Sequence, residues 1–158
     1  MLLQLFWGSI FNFKIKKKKK IFAYIKITRP LNVLITFLVV VVAILISQNE
    51  QIDLYTILLA SIAASLVAAA GNIVNDIYDI ESDKISHPNR VLVLGKLNKT
   101  EVKLEYLILN FISAIISINL SQTLFAIVFI SALLLFIYSA YLKKIPLIGN
   151  ITIALLTG

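Results

Sequence analysis

The chain has 158 residues, 59% of them hydrophobic and only 15% charged, with a mean hydropathy of +0.94 and a formal charge of +7. Soluble domains run nearer half apolar and a quarter charged, so these figures argue against a soluble globule and exclude a disordered segment. The absence of cysteine excludes a disulfide scaffold, thiolate metal sites and cysteine nucleophiles.

The first element, Met1–Phe13, is apolar but lacks a basic start, so it does not read as a signal peptide. With Trp7 and its Phe residues it reads as an interfacial segment. The Lys16–Lys20 run that follows reads as attracted to anionic lipid and as a determinant of topology. Basic residues placed at membrane boundaries argue against nucleic-acid binding. Four uncharged apolar runs come next, over Leu31–Ser47, Leu54–Val74, Leu107–Gln122 and Thr123–Leu142. Each approaches the ~20 residues that a helix needs to cross hydrocarbon. Backbone groups must bond internally in lipid, so the runs are predicted as helices despite their β-branched residues. With four spans, all 15 Lys and Arg residues fall on one face together with six acids, a net +9, while Glu50 and Asp53 give the other face −2. The positive-inside rule then places the amino terminus and the loop after the second span in the cytoplasm. The second span is rich in small residues, from Ala60 to Gly71, which suits close helix packing.

The informative stretch lies where that second span leaves the membrane. Asn75, Asp79 and Asp83 recur at i, i+4 and i+8, so on a continuous helix they form one row, with Asp76 beside it. Like charges one turn apart repel, and acids near a helix carboxyl end oppose its dipole, so something must compensate. Hard divalent cations take oxygen ligands, and magnesium commonly binds through one or two carboxylates plus substrate phosphate. Arg29, Lys84, Arg90, Lys143 and Lys144 form a basic rim suited to the outer oxygens of a magnesium diphosphate. His87, a lone loop histidine before Pro88-Asn89, is set aside as a functional group. Tyr138 and Tyr141 read as interfacial anchors, or Tyr138 as pocket lining; Asn110 reads as interhelical glue or as a pocket polar group. A transporter using these acids as a cation pathway is disfavoured, because no acid falls at the centre of a span.

The run Asn75 to Lys84, followed by Pro88-Asn89-Arg90 and Gly95-Lys96, resembles the first aspartate-rich signature of the UbiA prenyltransferase family. Thr28-Arg29-Pro30-Leu31-Asn32 resembles the start of that family's first helix. The stretch from Tyr138-Ser139 through Lys143-Lys144 to Gly149-Asn150 resembles the exit of its fourth helix and the entry to its fifth. Where the family commonly has Pro-Leu-Pro after the Arg, this chain has Val91-Leu92-Val93-Leu94, loosely similar to the geranylgeranylglyceryl-phosphate geranylgeranyltransferase branch. The resemblance covers residues 25–158, so that 1–24 reads as a basic amino-terminal segment and 25–158 as the amino-terminal part of a prenyltransferase domain. It implies an all-α polytopic membrane bundle, four spans with a fifth begun at about Leu147 out of a nine-helix fold, and lacking the second aspartate-rich motif. It also implies Mg2+-dependent transfer of a polyprenyl group from a polyprenyl diphosphate to a lipid or aromatic acceptor. By that likeness Asn75, Asp76, Asp79 and Asp83 hold the metal. Arg29, Asn75, Arg90 and Lys143 contact the diphosphate, and Asp79, Asp83 and Tyr138 are the catalytic residues. The alternative expectation is a catalytically inactive, truncated membrane protein.

Overall fold

A computed structural model of the chain describes residues 19–47 and 53–145. The expected interfacial segment Met1–Phe13, the beginning of a fifth span and Glu50 lie outside the described residues. Those residues are helical and contain no strand. They form α1 (19–27), α2 (Pro30–Ser47), α3 (Leu54–Tyr78), α4 (Ile80–Ser86), α5 (Lys99–Leu120) and α6 (Gln122–Ala140), closed by a short 3-10 turn at Leu142–Lys144.

Among the described residues, α2, α3 and α6 are long and apolar enough to cross a membrane. The third expected span, α5, begins further back than its uncharged run. Its first two turns carry Lys99, Glu101, Lys103 and Glu105, because the Asn98 capping box starts the helix there: the Asn98 side chain accepts from Glu101 N–H at 2.8 Å, and Glu101 accepts from Asn98 N–H at 3.1 Å. Ser121 alone separates α5 from α6: its backbone N–H closes α5 and its hydroxyl caps α6.

Helix α3 is the hub, packing against α2, α5 and α6. Its small residues decide this. Ala60, Ala63, Ala69 and Ala70 are buried, and Ser113 of α5 approaches closely enough to donate to the Ala63 carbonyl at 2.8 Å. A Cβ at Gly71 would lie 2.9 Å from Leu135 Cδ1, so the glycine lets α6 settle against α3. One apolar cluster joins Val67, Ala63 and Val128 deep between α3 and α6. A second, at the charged end, joins Ala23 and Ile27 of α1 to Ile73, Val102 and the loop residues Val91 and Leu97. Helix α2 buries no residue, and Leu31, Leu34, Leu38, Val42 and Leu45 face outward, as expected of a span bathed in hydrocarbon.

Candidate active site

The site assembles at the charged end of α3. The expected continuous helix through the acidic row is interrupted: α3 ends at Tyr78, and Asp79 adopts φ −94°, ψ 2° before α4 begins. This bridge conformation is common in turns and at active-site residues. The hydrogen-bond rhythm survives the break, since Asp79 N–H donates to Asn75 O at 3.0 Å and Asp83 N–H to Asp79 O at 2.8 Å. The side chains nevertheless divide into two pairs rather than one row.

The first pair is Asp76 and Asp83, only 5% and 4% exposed. Buried carboxylates require partners, and two arginines from distant parts of the chain supply them. Arg29 reaches Asp76 Oδ1 at 2.5 Å. Arg90 donates to Asp76 Oδ1 at 3.1 Å and also to Asp83 Oδ2, so one guanidinium bridges both acids. The loop after α4 holds Arg90 there by folding on itself. Leu94 N–H donates to Arg90 O and Lys96 N–H to Val91 O, Gly95 turns with φ 61°, and Val91 and Leu97 are pinned in the core. Arg29 sits between α1 and α2 with φ 55°, a left-handed conformation that costs a non-glycine residue about 1 kcal/mol or more. Its pairing with Asp76 accompanies that strain.

The second pair is Asn75 and Asp79. Lys143, carried on the turn after α6, places its ammonium 3.3 Å from Asn75 Oδ1 and 2.5 Å from Asp79 Oδ1. Three carboxylates and three cations thus neutralise one another. Among the described residues no three Asp, Glu or His side chains converge on one point. The oxygens converge in twos, and each two already grip a positive charge. These all-oxygen donor pairs fit a hard divalent cation in chemistry.

Two cavities flank this network. One, of about 380 Å³, is lined by Asn32, Gly71, Asn72, Asn75, Leu135 and Tyr138. Its floor is the small-residue surface of α3, and its walls are α2 and α6. The other, of about 400 Å³, is polar and is lined by Lys26, Arg29, Asp76, His87 and Arg90 among others.

The structure therefore brings together Arg29, Asn75, Asp76, Asp79, Asp83, Arg90 and Lys143, and it puts Tyr138 in the cavity wall. Lys84 instead pairs with Glu81 on the surface at 2.8 Å. Asn110 donates its amide to Tyr106 O on its own helix, and its buried Oδ1 has no partner among the described residues. His87, set aside on sequence, lines the polar cavity with Nδ1 3.6 Å from Asp83 Oδ1. Asn72 and Lys26 were not singled out. The available signal for Asn72 was its place one turn before Asn75 and Asp76, and its amide ties the α1–α2 corner to α3 through Thr28 O at 2.9 Å.

The chain is similar to known proteins in sequence and in fold. Residues 33–158 match the UbiA prenyltransferase family. The chain is 35% identical over 135 residues to the digeranylgeranylglyceryl phosphate synthase of Methanosphaera stadtmanae, covering 85% of this chain and 48% of that protein. It is 37% identical to the enzyme of that name from Thermococcus kodakarensis, covering 86% and 49%. A solved structure from work on digeranylgeranylglyceryl phosphate synthase in membranes superposes with a TM-score of 0.83 at 35% identity, over 87% of this chain and 50% of that one. The chain spans about half the length of the curated relatives it matches. With its apolar spans around a carboxylate–arginine centre, this chain belongs to the UbiA prenyltransferase family, whose members are multi-pass membrane proteins.

Proposed function

We propose that the chain supplies the diphosphate-binding half of a membrane prenyltransferase, which moves a polyprenyl group from its diphosphate to a lipid acceptor of the glyceryl phosphate kind. The carrying observation is the charge-balanced network of Arg29, Asp76, Arg90 and Asp83 with Asn75, Asp79 and Lys143, placed beside the Tyr138 cavity. The names of its relatives favour the glyceryl phosphate acceptor.

The charge balance gives the chemistry its form. A diphosphate is a polyanion, and the cations of this network, Arg29, Arg90 and Lys143, are already matched by Asp76, Asp83 and Asp79. Arginine and lysine can turn to the phosphate oxygens only if another cation takes over their carboxylates. Asn75, Asp76, Asp79 and Asp83 would hold Mg2+ in that role, and the metal would supply neutralisation of charge on the leaving diphosphate. Arg29, Arg90 and Lys143 then bind the outer oxygens and stabilise charge as the carbon–oxygen bond breaks. Tyr138, with Leu135 and the α3 floor, walls the cavity that shelters the allylic carbon from water. The sorted charges support a cytoplasmic position for this end of the bundle.

The test uses membranes carrying the 158-residue chain, alone or fused to the second half of the Methanosphaera relative, with labelled geranylgeranyl diphosphate, Mg2+ and geranylgeranylglyceryl phosphate. Transfer by the fusion, lost by about 10²–10³-fold in Asp79→Ala, supports the reading. Equal transfer by that variant overturns it. Because the chain spans half of its relatives, the unfused arm separates catalysis by this chain alone from an inactive half.

A further inference from the structure

Helix α1 has a face that the active site does not use. It packs inward through Ala23 and Ile27, which are 2% and 1% exposed, with Tyr24 against the same cluster. Lys20 clamps it to the start of α5 by pairing with Glu101 at 2.5 Å. These contacts fix the roll of the helix. On a helical wheel the opposite arc holds Ile21, Phe22 and Ile25, and these are 53%, 67% and 52% exposed. Lys19 and Lys26 border that arc beside Phe22; both are exposed, and neither pairs with an acid among the described residues. Arg29 and Pro30 then turn the chain into α2, whose outward side is apolar from its first turn.

A single helix that ends at the mouth of a membrane span and shows water an isoleucine–phenylalanine–isoleucine arc is out of place in solvent. The lysines beside the arc choose the occupant, because an apolar strip edged by unpaired ammonium groups complements a lipid surface bearing negative headgroups. We infer that α1 is an interfacial anchor for anionic lipid, with Ile21, Phe22 and Ile25 inserted among the acyl-chain ends and with Lys19 and Lys26 on the headgroup phosphates. The anchor has a consequence for the site. Two residues beyond Ile27 the chain reaches Arg29, so a lipid-held α1 keeps the Arg29–Asp76 pair in place.

The experiment places a tryptophan at Phe22→Trp or Ile25→Trp on the outer arc and at Tyr24→Trp on the inner face, each in the full chain with Trp7→Phe so that the reporter is unique. Each variant is reconstituted into zwitterionic vesicles and into vesicles containing anionic lipid, and helicity is checked by circular dichroism. The expected result is blue-shifted emission from the outer-arc reporters that brominated lipid quenches more strongly in anionic vesicles, with the inner reporter unquenched. Lys19→Gln and Lys26→Gln should each lower the ratio of inserted to withdrawn reporter about fivefold in anionic vesicles. Two outer-arc reporters keep the test alive if one substitution prevents folding. Water-like emission without quenching overturns the proposal, as does equal quenching in both lipids. Blue-shifted emission that brominated lipid leaves untouched also overturns it, because protein then covers the arc.

Discussion

Arg90 shows how much one side chain decides here. Its guanidinium is the shared partner of two buried carboxylates, so truncating it leaves both Asp76 and Asp83 short of a cation in a site that water reaches poorly. Breaking a buried pair is far more costly than never having built it. Arg90→Ala should therefore lower stability by about 3 kcal/mol, and resistance to denaturation in detergent checks this. A variant that also carries Asp83→Asn should recover part of the loss. Gly95 is a residue of the opposite kind. Nothing lies within 4 Å of the position a Cβ would take, yet its φ is 61°. Gly95→Ala should cost about 1 kcal/mol from backbone strain alone, read as a lowered unfolding midpoint, because this turn holds the Arg90 loop. The reason for this turn is not legible in the sequence: Val91 and Leu97 must reach the core while Arg90 faces the acids.

At the scale of elements, caps and breaks matter more than the spans. The α5 capping box begins that helix inside a charged stretch, which the apolar run alone could not reveal. Asn98→Ala should cost about 1 kcal/mol and should raise amide hydrogen exchange in the first turn of α5 before the rest of the bundle responds. The break at Asp79 is the other decisive local event. Periodicity of four along Asn75, Asp79 and Asp83 was read as one row of side chains on a continuous helix; the backbone bonds keep the spacing, but the helix breaks at Asp79 and the row divides. The non-helical angles at Asp79 then aim its carboxylate at Lys143 while Asp83 turns to Arg90. A helical pattern lists which residues are near one another, but the partners across the fold choose how they group.

For the whole molecule, α3 serves as spine and as cavity floor at once. Its small residues were assigned to packing alone, yet Gly71 and Ala68 also line the Tyr138 cavity, since a groove between α2 and α6 needs a thin floor. The topology is open to a direct check because the native chain has no cysteine. A single cysteine at Ser86 should react with an impermeant maleimide only from the cytoplasmic face of sealed vesicles, and one at Asp53 only from the other face. Labelling of both from one side would contradict the charge-sorted arrangement.

The sequence by itself determined the solvent and the helical class. Apolar runs of membrane length leave the backbone no alternative to helix. It also carried the family, because the signature from Asn75 to Arg90 is local. Only the tertiary structure decided that the acids act as two pairs, that His87 and Lys26 share a cavity with Arg29, and that α1 shows an apolar arc to its surroundings. Those facts depend on residues brought together from α1, α3, the loop after α4 and the turn after α6. Local spacing cannot encode contacts between segments whose separation is closed only when the helices pack.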